Sequence, residues 1–235
     1  MKTSNQLFAA GVTLLLGSLL TYNLALSAEY RTGHYKKPFY GYTALPLTNF
    51  SEVAVPTATR FSIKVVRGPY AVHLNEGAAK YVRISQQGQR LTVALAYPDK
   101  EEDLGNRETV IISCPELRRF TAAVPATVAG RRKGAGGHVV LENLLQDSLA
   151  VDAASGVSVQ VVGSELAYLR VNAASGTELG LEKNNRIRSA DVAVGDRGVL
   201  NQACGIEHPR YRFAATATAH FEGEAAQGLG PTASR

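Results

Sequence analysis

The segment Leu149-Ala150-Val151-Asp152-Ala153-Ala154-Ser155-Gly156 returns twenty residues later as Leu169-Arg170-Val171-Asn172-Ala173-Ala174-Ser175-Gly176, and nothing else in the chain restricts its fold as much. The match runs past the shared core, with Val157, Val159 and Val161 answered by Thr177, Leu179 and Leu181. A third copy is weaker and shifted by one, with Ala190, Val192 and Val194 before Gly195-Asp196-Arg197-Gly198; an earlier one is visible in Phe120, Ala122 and Val124 before Val128. Leu145, Leu166 and Ile187 recur at intervals of 21. A unit this short cannot bury an apolar face by itself and needs its neighbour stacked on it. The spacing predicts one coil per unit, three short strands separated by tight bends, with Leu149, Val151 and Ala153 lying over Leu169, Val171 and Ala173. Ser155-Gly156 and Ser175-Gly176 then share a corner at which stacked serines can bond along the column. Ordinary hairpins carrying a duplicated segment are the competing reading.

The residues before the repeats also read as strands. Phe61 to Val65, Tyr81 to Ile84 and Leu91 to Leu95 alternate apolar and polar, and Thr109 to Cys114 is a short apolar run closed by Pro115. Between them stand turn-formers such as Arg67-Gly68-Pro69, Asn75-Glu76-Gly77 and Gln86-Gln87-Gly88-Gln89. Pro98 to Arg107 reads as a charged loop. Aromatics make up 7% of the chain, there is no Trp, and Gly reaches 22 residues, so the core must be built of small and β-branched side chains and be thin.

Leu7 to Ala28 is a long apolar run behind Lys2. Residues 1–28 suit a secretory signal peptide or an uncleaved membrane anchor, and Leu26 ahead of a cut after Ala28 favours retention. Counting Arg31, Lys36 and Lys37 against Lys2 would hold the following residues in the cytoplasm, whereas the β-rich remainder reads as exported. Residues 29–47 form a linker rich in tyrosine and lysine, with Tyr30, Tyr35, Phe39, Tyr40 and Tyr42. Residues 48–221 form the β-rich domain, clearest in its repeats at 117–206, and 222–235 a small, polar, flexible tail.

The order of these features resembles a bacterial family of unknown function, the putative auto-transporter adhesin head, or GIN, domain. The resemblance rests on Phe50-Ser51 with Ile63 and Val65, on Gly88 with Leu91-Thr92-Val93, on Pro115-Glu116-Leu117, and on the Ala-Ser-Gly corners at 153–156 and 173–176. It covers roughly residues 48–221 and departs from the family pattern at Val124-Pro125-Ala126 and in the insertion from Gly130 to Gly137. It implies an all-β fold, a right-handed parallel β-helix (β-solenoid) preceded by an N-terminal hydrophobic helix, and a place in the cell envelope. It supplies no functional residues.

The chemistry that the residues offer is sparse. His34, His73, His138, His208 and His220 are scattered, none at ligand spacing from another His, Cys or carboxylate. Cys114 and Cys204 lack a Cys-x-x-Cys spacing, and three or four stacked units between them would exceed the ~7 Å reach of a disulfide, so two separate buried thiols are expected. Arg131-Arg132-Lys133 before Gly134-Ala135-Gly136-Gly137 lacks the Gly-Lys-Ser/Thr ending of a phosphate loop and reads as a solvated loop. A formal charge of +5 is too small to indicate nucleic acid. Some polysaccharide-cleaving β enzymes use clustered acids, or a base with Arg or Lys, on one outer face; Asp152 and Asn172 occupy equivalent positions as carboxylate and amide, where two neighbouring carboxylates would make a stronger case. The expectation is therefore no catalytic, cofactor-binding or metal site and no cofactor. The chain reads as a non-enzymatic envelope protein presenting a β surface for adhesion, with a glycan or envelope protein as partner and the membrane met through the N-terminal segment. A self-assembling scaffold joined end to end, and a polysaccharide-processing enzyme, are the alternatives.

Overall fold

The computed structural model describes residues 2–33, 36, 39–56, 62–96, 108–123 and 137–227. They fall into two units, Met1–Gly41 and Tyr42–Arg235. The first is dominated by helix α1 (Lys2–Thr32). Its Thr13 and Thr21 hydroxyls donate to the carbonyls of Ala9 (2.9 Å) and Gly17 (3.0 Å), so these polar groups are satisfied within the helix itself. Gly33, at φ +66°, ends it in the left-handed conformation that glycine adopts without strain. Between Gln6 and Thr32 the helix is long and apolar enough to cross a membrane, although a signal sequence has the same character. Leu7, Leu14, Leu20 and Leu24 lie on its surface, exposed.

The second unit is built of strands. In chain order they are β1 (Tyr42–Leu45), β2 (Glu52–Val55), β3 (Ser62–Arg67), β4 (Ala71–Asn75), β5 (Val82–Gln87), β6 (Arg90–Leu95), β7 (Glu108–Cys114) and β8 (Arg119–Ala122). After them come β9 (His138–Glu142), β10 (Leu145–Ala153), β11 (Ser158–Val162), β12 (Glu165–Ala173), β13 (Glu178–Leu181), β14 (Arg186–Val194), β15 (Val199–Gln202), β16 (Ile206–Phe213) and β17 (Thr218–Phe221). They form a nine-stranded sheet in the order β1-β4-β7-β3-β9-β11-β13-β15-β17 and an eight-stranded sheet in the order β16-β14-β12-β10-β8-β2-β6-β5.

The β-solenoid expected from the repeats, and the right-handed parallel β-helix that the resemblance implied, are overturned by this topology. The architecture is two mixed sheets, with β1–β4, β4–β7 and β5–β6 antiparallel. Strand β3 is inserted between β7 and β9, and β2 between β8 and β6. The twenty-residue period speaks only for the residues that share it. Where it lapses, tight turns decide: Gly88, at φ +58°, closes a hairpin that folds β5 back on β6. Even within the repeats a unit is not three short strands. Each contributes one short strand to the nine-stranded sheet and one strand of eight or nine residues to the other, as β11 and β12 do.

Pairing of the two near-identical segments nonetheless sets Leu149 against Leu169, Val151 against Val171 and Ala153 against Ala173, all buried. Inward residues of both sheets merge into one core of Val, Leu, Ile and Ala with two large aromatics, Phe50 and Phe120. The corner after β10 turns at Gly156 (φ +78°) and its equivalent at Gly176 (φ +70°); the shifted third copy has Arg197 there, at φ +56°. The polar ladder forms at the opposite corner rather than through the serines. Buried Asn185 accepts from the Ser164 amide (2.9 Å) and donates to the carbonyls of Val161 (2.7 Å) and Glu182 (2.9 Å). The Ser164 hydroxyl accepts from the Leu144 amide at 3.1 Å. Val124-Pro125-Ala126, the Pro98–Arg107 loop, Phe61 and residues 228–235 lie outside the described residues. Gly223–Gln227 is a short helix with Ala225 buried, where the sequence reading expected a flexible tail.

Candidate functional site

Alternation along each strand of the eight-stranded sheet turns one set of side chains into the core and the other to solvent. On the solvent side, pairing aligns these into rows that cross the sheet. The middle row runs Arg90, Glu52, Arg119, Ala150, Arg170, Asp191 and Arg210, one residue from each of β6, β2, β8, β10, β12, β14 and β16. All four arginines are exposed, while Glu52 and Asp191 are half-buried. A second row carries Thr92, Ala54, Thr121, Asp152, Asn172, Ala193 and Arg212, with Ala54 buried, and a third Ser148, Tyr168, Ser189 and His208.

Two contacts hold this face in shape. Asn172 Nδ2 donates to Asp152 Oδ1 at 2.7 Å, and Arg119 Nε stands 3.8 Å from the other carboxylate oxygen. The Tyr168 hydroxyl donates to Asp191 Oδ2 at 2.6 Å. That carboxylate pushes the Tyr168 phenol up from its ordinary value, whereas the charges of Arg170 and Arg210 pull it down, so all four groups share one field. Asp152 and Asn172 are therefore brought together as their spacing implied, as a hydrogen-bonded acid–amide pair, with Asp191 and Glu52 in the neighbouring row.

Among the described residues the other groups singled out, His208 of the third row excepted, lie off this face. Cys114 and Cys204 are free and buried. β7 and β15 are five strand steps apart in their sheet, ~24 Å at ~4.8 Å per step, well beyond disulfide reach. Burial pushes the Cys114 thiol up to about 12 and that of Cys204 to about 11, so both are neutral and inert near neutral pH. His73 is half-buried on β4, and burial lowers its pKa; His208 and His220 are exposed. His34, the Arg131-Arg132-Lys133 triplet and Gly134 to Gly136 lie outside the described residues. No group of three or more His, Cys, Asp or Glu among the described residues is placed to hold a metal. Beside the third row, an open groove of about 800 Å³ is lined by carboxylates and arginines, among them Asp147, Glu165, Arg186 and Arg188.

The cross-sheet rows escape a linear reading because their members come from seven strands spread between Glu52 and Arg210. Only the pairs within the repeats, such as Ala150/Arg170, Asp152/Asn172 and Arg170/Asp191, were legible.

The chain is thus a two-sheet β protein with an apolar N-terminal helix and a basic, hydroxyl-bearing outer face. No family model matches it, and neither does any curated protein. Solved structures with some likeness include one described as a putative adhesin from Bacteroides fragilis, at 12% identity and TM-score 0.47, covering 77% of this chain and 93% of that one. Another, from Parabacteroides merdae, is described in the same words, at 15% identity and TM-score 0.37, covering 78% and 92%. A third, from Parabacteroides distasonis, is described as a putative lipid binding protein, at 14% identity and TM-score 0.32, covering 77% and 94%. Likenesses this distant carry no functional argument, and the GIN domain resemblance continues to rest on the residues that suggested it.

Proposed function

We propose that this chain is a non-enzymatic cell-envelope protein that meets the membrane through α1 and binds a surface partner, a glycan or an envelope protein, through the outer face of its eight-stranded sheet. The observation that carries the reading is the face itself. It sets exposed arginines, hydroxyls and the Tyr168 ring side by side across seven strands, while the Asp152 carboxylate is already hydrogen-bonded by Asn172. Such a surface offers many shallow polar contacts, which suits recognition. Fractionation of cells carrying the full chain with a C-terminal tag, followed by protease accessibility, is expected to find the β unit membrane-associated and outside the cytoplasm. A strain lacking the chain is expected to lose adhesion to glycan- or protein-coated surfaces. A cytoplasmic β unit, or adhesion unchanged across a broad panel, overturns the reading.

End-to-end self-association is a second reading, favoured by the aromatic group at one end of the sheets. There Tyr211 stacks on Phe213 (5.7 Å between centroids) and meets Phe221 edge-on (5.5 Å), and Phe213 is 42% exposed. The Ala214 amide donates to Val194 at 2.9 Å, so alternation turns the backbone of Phe213, Tyr211 and Pro209 to the open edge. Pro209 has no N–H to offer there, which blunts strand-to-strand pairing. Ultracentrifugation showing only monomer at high concentration removes this reading.

A further inference from the structure

In the middle row of the eight-stranded sheet an arginine stands on every second strand. Arg90, Arg119, Arg170 and Arg210 alternate with Glu52, Ala150 and Asp191. At ~4.8 Å per strand the guanidinium groups attach at intervals of ~9.6 Å over a span of about 29 Å. That interval is close to the rise of one disaccharide in an extended linear glycan. No ion pair ties Arg90, Arg170 or Arg210 to another described residue, so their forks are available to carboxylates.

We infer that this row is a binding rail for a linear acidic polysaccharide carrying one carboxylate per disaccharide. The inference rests on the surface-binding reading above and names its ligand. The residues between the arginines choose among polyanions. Glu52 and Asp191 would repel a ligand charged at every unit, such as a nucleic acid strand or a dense anionic lipid surface, but can accept hydrogen bonds from the hydroxyls of an uncharged sugar set between two acidic ones. Thr92, Thr121, Ser148 and Ser189, in the flanking rows, supply further donors and acceptors. Tyr168, 37% exposed and fixed by its bond to Asp191, presents a ring against which a sugar can lie. Arginine suits the task better than lysine because its planar fork grips a carboxylate at two points.

The test uses the full chain in detergent, with hyaluronan oligosaccharides as the alternating probe. Polygalacturonate serves as the uniformly charged probe, dextran as the neutral one, and phosphatidylglycerol vesicles as the lipid. Affinity for hyaluronan is expected to climb with oligomer length until three disaccharide intervals are spanned, then level off. The double variant Arg119→Gln/Arg170→Gln should lose roughly tenfold or more, and Ala150→Asp should weaken binding by placing an acid in the neutral slot. These are exposed or half-exposed positions, so unchanged thermal unfolding will show that the fold is intact. Equal affinity for polygalacturonate, preference for the vesicles, or indifference to the double variant overturns the rail. If hyaluronan fails to bind while cells carrying the chain still adhere, the rail falls and the surface-binding reading stands; if adhesion is also absent, both fall.

Discussion

Residues 42–123 and residues 137–221 use the same kind of side chain to fill one core, yet they reach it by different rules. In the later region each strand pairs with the strand one repeat away, so β10, β12, β14 and β16 follow one another in space as they do in sequence. In the earlier region β3 sits between β7 and β9, β2 between β8 and β6, and three pairings are antiparallel. Local repetition makes neighbours in sequence neighbours in space; without it, turns and the competition for a sheet edge choose the partner. The repeats are therefore expected to open as a module, whereas the first region is held by contacts between distant segments.

The hardest way to break that comparison is Val171→Asp. Val171 is buried between Val151 and Val192 on adjoining strands, so an unpaired carboxylate there is expected to cost several kcal/mol. Hydrogen exchange should show protection lost first on β10, β12 and β14, with β3, β4 and β7 opening later. Simultaneous loss in both regions would mean that the stack is not modular. Asn185→Ala comes next. It removes three side-chain hydrogen bonds at the corner and leaves the buried Ser164 amide without its partner, while the Val161 carbonyl keeps the Glu182 amide, a loss of about 1–3 kcal/mol in chemical denaturation.

The two thiols place a titration in each region. Their pKa values are raised by folding, so the stability they lend is complete below their ordinary value near 9.0 and is lost as pH rises through about 11 for Cys204 and about 12 for Cys114. Roughly 1 kcal/mol per thiol should be gone by pH 10. The unfolding midpoint is expected to fall over that range, and Cys114→Ala or Cys204→Ala should each flatten the slope, one reporting on the earlier region and the other on the stack.

Smaller effects sharpen the picture within the repeats. Arg197 holds the left-handed position that Gly176 occupies one unit earlier, so Arg197→Gly should raise stability by up to ~1 kcal/mol. Arg170→Asp, on the outer side of the strand carrying Val171, should change it by less than ~1 kcal/mol. Equal effects of Val171→Asp and Arg170→Asp would mean that inside and outside are exchanged.

Much of this was open to reading from the residues. The apolar helix, the alternating strands at Leu91–Leu95 and Thr109–Cys114, the pairing of Val151 with Val171 and the separate buried thiols all follow from patterns confined to one strand or repeated at a fixed interval. The two-sheet topology was not readable, because a period of twenty is silent about residues outside it. The polar corner was missed as well: Leu144, Ser164 and Asn185 differ in every unit, so no identity marks their column.

The amino-acid sequence by itself determined which residues face inward, since alternation within a strand is a local property of the backbone and needs no partner to be legible. It also determined the register of the near-identical units, because a slip of one residue would turn Val171 outward and Arg170 into the core. Only the tertiary structure decided which distant strands lie side by side, and with that the arginine row. Rows across a sheet are made by hydrogen bonds between backbones, which are the same for every residue and leave no trace in the order of the side chains.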